Sequence, residues 1–165
     1  MTIVSSHTDR EALTLTFVAD FEASPERVWQ TFQNPRQLER WWGPATWPAT
    51  FTRHEFFPGG RSAYYMTGPD GDRVHGWWLM HALDRPSRLE FEDGFADEEG
   101  EPTGDLGSTL TAVTLEPVTG GTRMTIVGTF AGPHQFEQML AMGMEEGMLD
   151  ALAQIEPILS TDDRA

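Results

Sequence analysis

The residues of this sequence best suited to moving protons are three histidines, His54, His75 and His81, and two glutamates, Glu145 and Glu146. An imidazole titrates near neutrality and, oriented by a carboxylate, can serve as general acid or base. All three histidines fall in segments that read as strands. Glu145 and Glu146 are adjacent on a helix, so they point about 100° apart and spacing alone does not pair them. A Glu146 turned inward beside Gly143 would have its pKa raised by burial, which makes it a functional candidate. His54, His75 and Glu146 are therefore the candidate catalytic groups. Arg40, Arg53, Arg61 and Arg73 are the candidate partners for a buried acid or a ligand carboxylate.

Other chemistries are excluded or lack their context. No Cys is present and all 11 cations are Arg. Thiol nucleophiles, Cys-based zinc sites, Schiff-base chemistry and a P-loop lysine are thus absent. Ser62 and Thr67 have no nucleophile elbow around them, since no G-x-S-x-G occurs. The run Glu92–Asp105 carries seven acids, but not in the alternation of a calcium loop. It reads as a solvated acidic loop in which Phe95 is an anchor, and no metal or cofactor is expected.

These groups need elements to position them, and the most informative is the apolar run from Pro133 to Ser160. Gly132-Pro133 starts a helix, with Pro where its missing N–H is no loss. Phe136, Met139, Leu140, Gly143, Gly147, Ala151 and Ile155 recur at helical spacing and form one apolar stripe. Gly143 and Gly147 lie one above the other, each costing about 1 kcal/mol against Ala in a helix interior. Met139, Met142, Met144 and Met148 surround them with flexible thioethers. The pattern predicts a helix that lids a cavity. Pro157 should kink or restart its last turn.

The rest of the chain reads in order as strand, two short helices and six strands. Ala12–Phe21 alternates as a strand. Ser24-Pro25-Glu26 is an N-cap, a first-turn Pro and an acid at the positive helix end, opening a helix that carries Val28, Trp29 and Phe32 inward. Asn34-Pro35 opens a second short helix that ends at Gly43-Pro44. Strands follow over 50–57, 61–67, 74–83, 88–92, 109–116 and 122–130. Pro58-Gly59-Gly60, Pro69-Asp70-Gly71 and Gly120-Gly121 mark turns between them. Tight turns imply an antiparallel sheet. The expected fold is α+β, a curved seven-stranded antiparallel sheet around a long C-terminal helix, one domain over residues 1–165 with its core at about 12–160.

Composition sets further bounds. The chain of 165 residues has 39% apolar content, six Trp and ten Phe, which is globular rather than disordered. A formal charge of −15 argues against nucleic acid and anionic membranes. No apolar run is long enough to span a bilayer, and the first residues carry no secretory pattern, so a cytoplasmic protein is expected.

Ser24-Pro25-x-x-Val28-Trp29, Trp41-Trp42-Gly43-Pro44, Pro58-Gly59-Gly60, MTGPDG at 66–71, GGTRMT at 120–125 and MGMEEG at 142–147 together resemble one family. It is the activator of heat-shock-protein-90 ATPase homologue-like group, within the START-like, helix-grip (SRPBCC) superfamily. The resemblance runs from about Leu13 to Leu159. It implies a sheet gripping the C-terminal helix over an apolar cavity, and members, largely bacterial, that bind small hydrophobic or aromatic molecules. On that basis the expected ligand is aromatic (polyketide- or flavonoid-like) or lipid. Its contacts would come from Trp41, Trp42, Phe51, Tyr64, Met66, Trp77, Leu79, Phe91, Met124, Met139, Met142, Gly143 and Glu146. Trp41 and Trp42 cannot face the same way, and period-2 alternation leaves open which of Trp77 and Trp78 faces inward. A polyketide cyclase or dehydratase using a cavity His or Glu is the second reading. A chaperone-regulating module acting on a protein partner is the third, and a homodimer through a sheet edge stays open.

Overall fold

The computed structural model describes residues 2–103, with side chains from residue 5, and residues 107–160. One antiparallel sheet forms the frame, in the spatial order β1-β2-β8-β7-β6-β5-β4-β3. Its strands are β1 (Thr2–Asp9), β2 (Thr14–Phe21), β3 (Ala49–His54), β4 (Arg61–Thr67), β5 (Arg73–Asp84), β6 (Arg88–Ala96), β7 (Thr109–Val118) and β8 (Gly121–Phe130). Helices α1 (Pro25–Gln33) and α2 (Pro35–Leu38) connect β2 to β3, and α3 (Pro133–Ala141), α4 (Met144–Leu152) and α5 (Ile155–Leu159) follow β8. This is the expected α+β helix-grip arrangement, with three corrections.

The sheet has eight strands rather than seven. The extra one, β1, pairs only with β2 at the sheet edge, and its polar Ser5, Ser6, His7 and Thr8 give no apolar alternation to read. The turn after it is closed by Asp9, whose carboxylate accepts the N–H groups of Glu11 and Ala12 at 3.0 Å.

The C-terminal run is three helices, not one. Gly143 has φ +84°, a left-handed conformation that stops α3 and starts α4 in a new direction. Pro157 sits in the first turn of α5, where its missing N–H leaves no helical bond unmade.

Strand β6 runs on to Ala96, past the residue 92 at which the sequence reading ends it. Asp93 and Phe95 therefore belong to the sheet and not to the acidic loop. Of that loop, Gly104 and Asp105 lie outside the described residues.

The helices cover one face of the sheet, and the core lies between. Leu15, Phe17, Ala19 and Phe21 of β2, Met124 and Ile126 of β8, and Val113 and Leu115 of β7 alternate onto that inner face and are buried. They meet Val28, Trp29 and Phe32 of α1 together with Ile155 and Ile158 of α5. Arg27 ties α1 to α5 by donating to the Ile158 carbonyl at 2.7 Å. At about 25 cal/mol per Å² of apolar surface, this closed half supplies much of the drive to fold.

Candidate functional site

The other half of the inner face, carried by β3 to β6, is aromatic. Phe51, Tyr64, Trp78 and Phe91 project inward from four successive strands, and Trp42 comes down on them from the loop after α2. Trp78 stacks on Phe91 at 4.0 Å between centroids, and Phe51 stacks on Tyr64 at 4.9 Å. Trp42 meets Trp78 edge-on at 4.9 Å and Tyr64 at 6.4 Å, the T-shaped geometry that suits a ring quadrupole. Gly76 makes this packing work: a Cβ there would run into the Tyr64 ring and hydroxyl.

Within these apolar walls sits a polar end. Asp93 pairs in register with Trp78 across β5 and with Thr109 across β7, so its side chain falls on the inner face. Thr111 donates to its Oδ2 at 3.0 Å, and among the described residues no cation forms an ion pair with it. Burial pushes the Asp93 carboxyl up to about 7; the Thr111 hydroxyl opposes the rise and the charge of Glu92 adds to it. Burial likewise pushes the Tyr64 phenol above its ordinary range, reinforced by the Asp93 charge and opposed by the indole N–H groups of Trp42 and Trp78. Asp93 and Tyr64 are thus enclosed by protein, yet both keep accessible surface, as residues lining a gap do.

The two indoles are the unusual feature. Nε1 of Trp42 and Nε1 of Trp78 are buried and reach no hydrogen-bond partner among the described residues. They act electrostatically on the Tyr64 oxygen without attaining hydrogen-bond geometry to it. Trp29 and Trp41 show the ordinary arrangement: their N–H groups donate to Gln33 Oε1 at 3.0 Å and to the Thr31 carbonyl at 2.9 Å. A buried donor left unpaired costs about 1–3 kcal/mol. Both donors lie beside the Tyr64 phenol, on whose oxygen they act.

The helical side of this half is loose. Met139, Leu140, Met144, Met148 and Leu149 touch the core but stay partly accessible. A Cβ added at Gly147 would meet nothing within 4 Å, and one at Gly143 only the Glu146 carboxylate. Helices α3 and α4 thus pack on the core only through partly accessible side chains, with open space beside Gly147.

Against this geometry the sequence candidates divide. Trp42, Phe51, Tyr64, Met66 and Phe91 come together on the inner face, while Met139 packs on the core from α3. Trp41 is wholly buried and donates its indole N–H to the Thr31 carbonyl, and Trp42 is buried in the same core. Met124 is buried in the closed half. Trp77 and Leu79 are turned to the outer face: Trp77 lies against Gly94 there, and Trp78 takes the inward position. Met142 is 59% exposed and Glu146 is exposed in the first turn of α4, because the break at Gly143 rotates both away from the sheet. Gly143 stands at the break between α3 and α4.

The histidines are spoken for. A register shift between Phe51 and Arg53 lets both Phe51 and His54 face inward. His54 Nε2 lies 2.8 Å from the Phe32 carbonyl, which can only accept, so Nδ1 accepts from the Ser62 hydroxyl at 2.7 Å. Burial depresses the His54 pKa, partly countered by the bond to Phe32. His54 is a latch between α1 and β3–β4. His75 is on the outer face beside Tyr65, and His81 pairs with Glu92 at 3.2 Å. Open hollows with charged linings, among them Arg53, Arg61, Arg73 and residues 97–101, lie toward that face.

Asp93 is the residue the sequence reading missed. Its only signal was period-2 continuity with Leu89 and Phe91, overridden by the acids around it.

Comparison with known proteins agrees with this architecture. A family model described as Activator of Hsp90 ATPase homolog 1-like protein matches residues 22–160. A protein of Arthrobacter aurescens solved by NMR shares 52% identity at TM-score 0.92, covering 99% of this chain and 98% of its own. A crystal structure from Mycobacterium smegmatis shares 43% identity at TM-score 0.89, covering 99% of this chain and 100% of its own. One from Rhodobacter sphaeroides shares 26% identity at TM-score 0.80, covering 96% and 97%. A search of curated proteins finds no match.

Proposed function

Since this chain belongs to the Activator of Hsp90 ATPase homolog 1-like family, we propose that α3 and α4 open away from the aromatic end of the sheet to bind a small, flat, largely apolar molecule bearing an acceptor oxygen. The observation that carries this reading is the pair of buried, unpartnered indole N–H groups of Trp42 and Trp78 within an aromatic lining. Phe51, Tyr64, Trp78 and Phe91 supply flat walls, and Met139, Met144 and Met148 supply a side that adapts to shape. The ligand oxygen accepts from Trp42, Trp78 and the Tyr64 hydroxyl, recovering the desolvation of donors that otherwise stay unpaired. The Hsp90-related family name adds no partner to this reading.

The test is intrinsic Trp fluorescence and thermal shift against flavonoids, aromatic acids, polyketides and fatty acids. A seated ligand contacts two of the six Trp, so saturable quenching and a concentration-dependent rise in Tm are expected. Trp42→Phe should weaken oxygen-bearing ligands by roughly tenfold while leaving their hydrocarbon analogues unchanged. A folded protein that responds to no member of the panel would refute the reading.

A further inference from the structure

A hollow of about 770 Å³ opens at the end of the sheet where β5 begins and β6 ends, a volume in the range that holds small molecules. Arg73 and Val74 of β5, Phe95 of β6, and Asp97 and Glu98 beyond it are among its lining. It brings opposite charges to one space without pairing them. Arg10, Arg36, Arg53, Arg85, Arg88 and Arg123 each form an ion pair with an acid. Arg73, in a chain of 26 acids, forms none among the described residues. Its guanidinium lies instead over the Tyr65 ring, 4.2 Å from the centroid. The ring covers one face of the guanidinium and leaves its in-plane N–H fork open, the geometry that receives a carboxylate bidentately.

Glu98 lines the same hollow and likewise forms no ion pair among the described residues. Its neighbour Asp97 is committed to the turn: Oδ1 accepts the N–H groups of Glu99 at 2.9 Å and Glu101 at 3.0 Å. Val74, 40% exposed, and the partly accessible Phe95 give the hollow an apolar wall. The charges decide what such a space accepts. A plain anion would meet Glu98 and Asp97 as well as Arg73, on a chain whose net charge is −15. A plain cation would meet Arg73. A molecule with both charges satisfies the two sides and adds no net charge.

We propose that this hollow binds a zwitterion with an apolar body, the chemistry shared by free apolar amino acids and short apolar peptides, with Arg73 taking the carboxylate and Glu98 the ammonium. The apolar body lies on Val74 and Phe95. None of Trp42, Phe51, Tyr64, Trp78 and Phe91 lines this hollow, so it is a second site, distinct from the aromatic end of the sheet.

The experiment follows backbone amide shifts of the full ¹⁵N-labelled chain by NMR as L-leucine is added. Saturable shifts are expected at residues 73–75 and 95–98. N-acetyl-L-leucine, which lacks the ammonium, and L-leucinamide, which lacks the carboxylate, should each bind roughly tenfold more weakly. Arg73→Gln should weaken leucine by a similar factor and leave leucinamide unchanged, and Glu98→Gln should weaken leucine and leave N-acetyl-L-leucine unchanged. Both side chains are exposed, so both variants should fold as the wild type does. Tighter binding by Leu-Leu-Leu than by leucine assigns the hollow to peptides and the reverse assigns it to free amino acids; either result supports a ligand held between Arg73 and Glu98. Trp42→Phe should leave leucine binding unchanged, which separates failure here from failure at the aromatic end. Equal affinities for leucine and its two derivatives, leucine binding unaltered in both charge variants, or shifts that grow linearly without saturating would overturn the proposal.

Discussion

Replacing Asp93 by Asn should change how the stability of this protein depends on pH, and the size of the change follows from its position. The carboxyl is raised from 3.8 to about 7 in the folded state. A raised carboxyl means that the folded protein holds a proton the unfolded chain has released. Its stabilising contribution is therefore complete below pH 3.8 and is lost as pH rises through about 7. Between pH 5 and 8 the wild type should lose about 2.6 kcal/mol on this account, at 1.36 kcal/mol per unit. Asp93 keeps some accessible surface, and water there softens the penalty, so about 1–2 kcal/mol is the expected loss. The amide of the Asp93→Asn variant does not titrate and carries no such dependence. Urea unfolding of both proteins at pH 5 and pH 8 gives the double difference, from which the other titrating groups cancel. The variant should gain about 1–2 kcal/mol on the wild type between the two pH values. Parallel pH profiles would show that Asp93 is solvated and ordinary, and the account of the polar end would fall with it.

Three further outcomes follow from single contacts. Gly147→Ala should stabilise the protein by about 0.5–1 kcal/mol, because a Cβ there meets nothing and helix α4 gains propensity, whereas Gly143→Ala should destabilise it by a similar amount at φ +84°; thermal melts of the pair separate the two. His54→Ala should cost about 1–3 kcal/mol by leaving the Phe32 carbonyl and Ser62 hydroxyl unpaired. Because burial depresses the folded pKa of His54 below 6.5, wild-type stability should fall as pH drops below that value, and the alanine variant should show a shallower acid limb in the same urea series. Gly76→Ala should lower stability by about 1–3 kcal/mol and disturb the near-UV circular dichroism of the aromatic cluster, since the new methyl displaces Tyr64.

Most of the frame was legible because local chemistry dictated it. Ser24 caps α1 through its hydroxyl, with Pro25 at the first helical position, as their types require. The hairpins around Gly71 and Gly120 form at glycines with φ of +87° and +86°, which their positions in the turns demand. The site was less legible for the same reason inverted. Asp93 breaks the apolar alternation of β6, so a rule that rewards alternation ends the strand one residue before it. Facing was equally hidden: nothing local distinguishes Trp77 from Trp78, and only the register of β5 against β6 turns the latter inward. The break at Gly143 hid in an unbroken helical period, because a left-handed glycine interrupts a helix without disturbing the spacing of its apolar residues.

Those failures share a cause, and it bears on what the protein is built to do. The closed half of the sheet, from β2 through β8 to β7, turns its apolar residues inward with helices α1 and α5 packed down on it. The open half violates three local rules at once, with an acid among aromatics, two indoles without acceptors and a helix that stops over the gap. Two unpaired donors together cost about 2–6 kcal/mol, a large part of the 5–15 kcal/mol by which a domain of this kind is stable. Such a concentration of unfavourable groups persists only where the rest of the structure overdetermines the fold, and it recurs where binding or chemistry needs it. Here the overdetermination lies in the other half of the same sheet. Strands β7 and β6 join the two, with Thr111 on β7 holding Asp93 on β6 at 3.0 Å. The polar end is thus fastened to the closed half of the molecule, while α3 and α4 pack on the core through partly accessible side chains. On the proposed reading, a ligand would meet donors held by the sheet on one side and a flexible methionine surface on the other, so the sheet would dictate the oxygen's position and the helices would accommodate the ligand's outline.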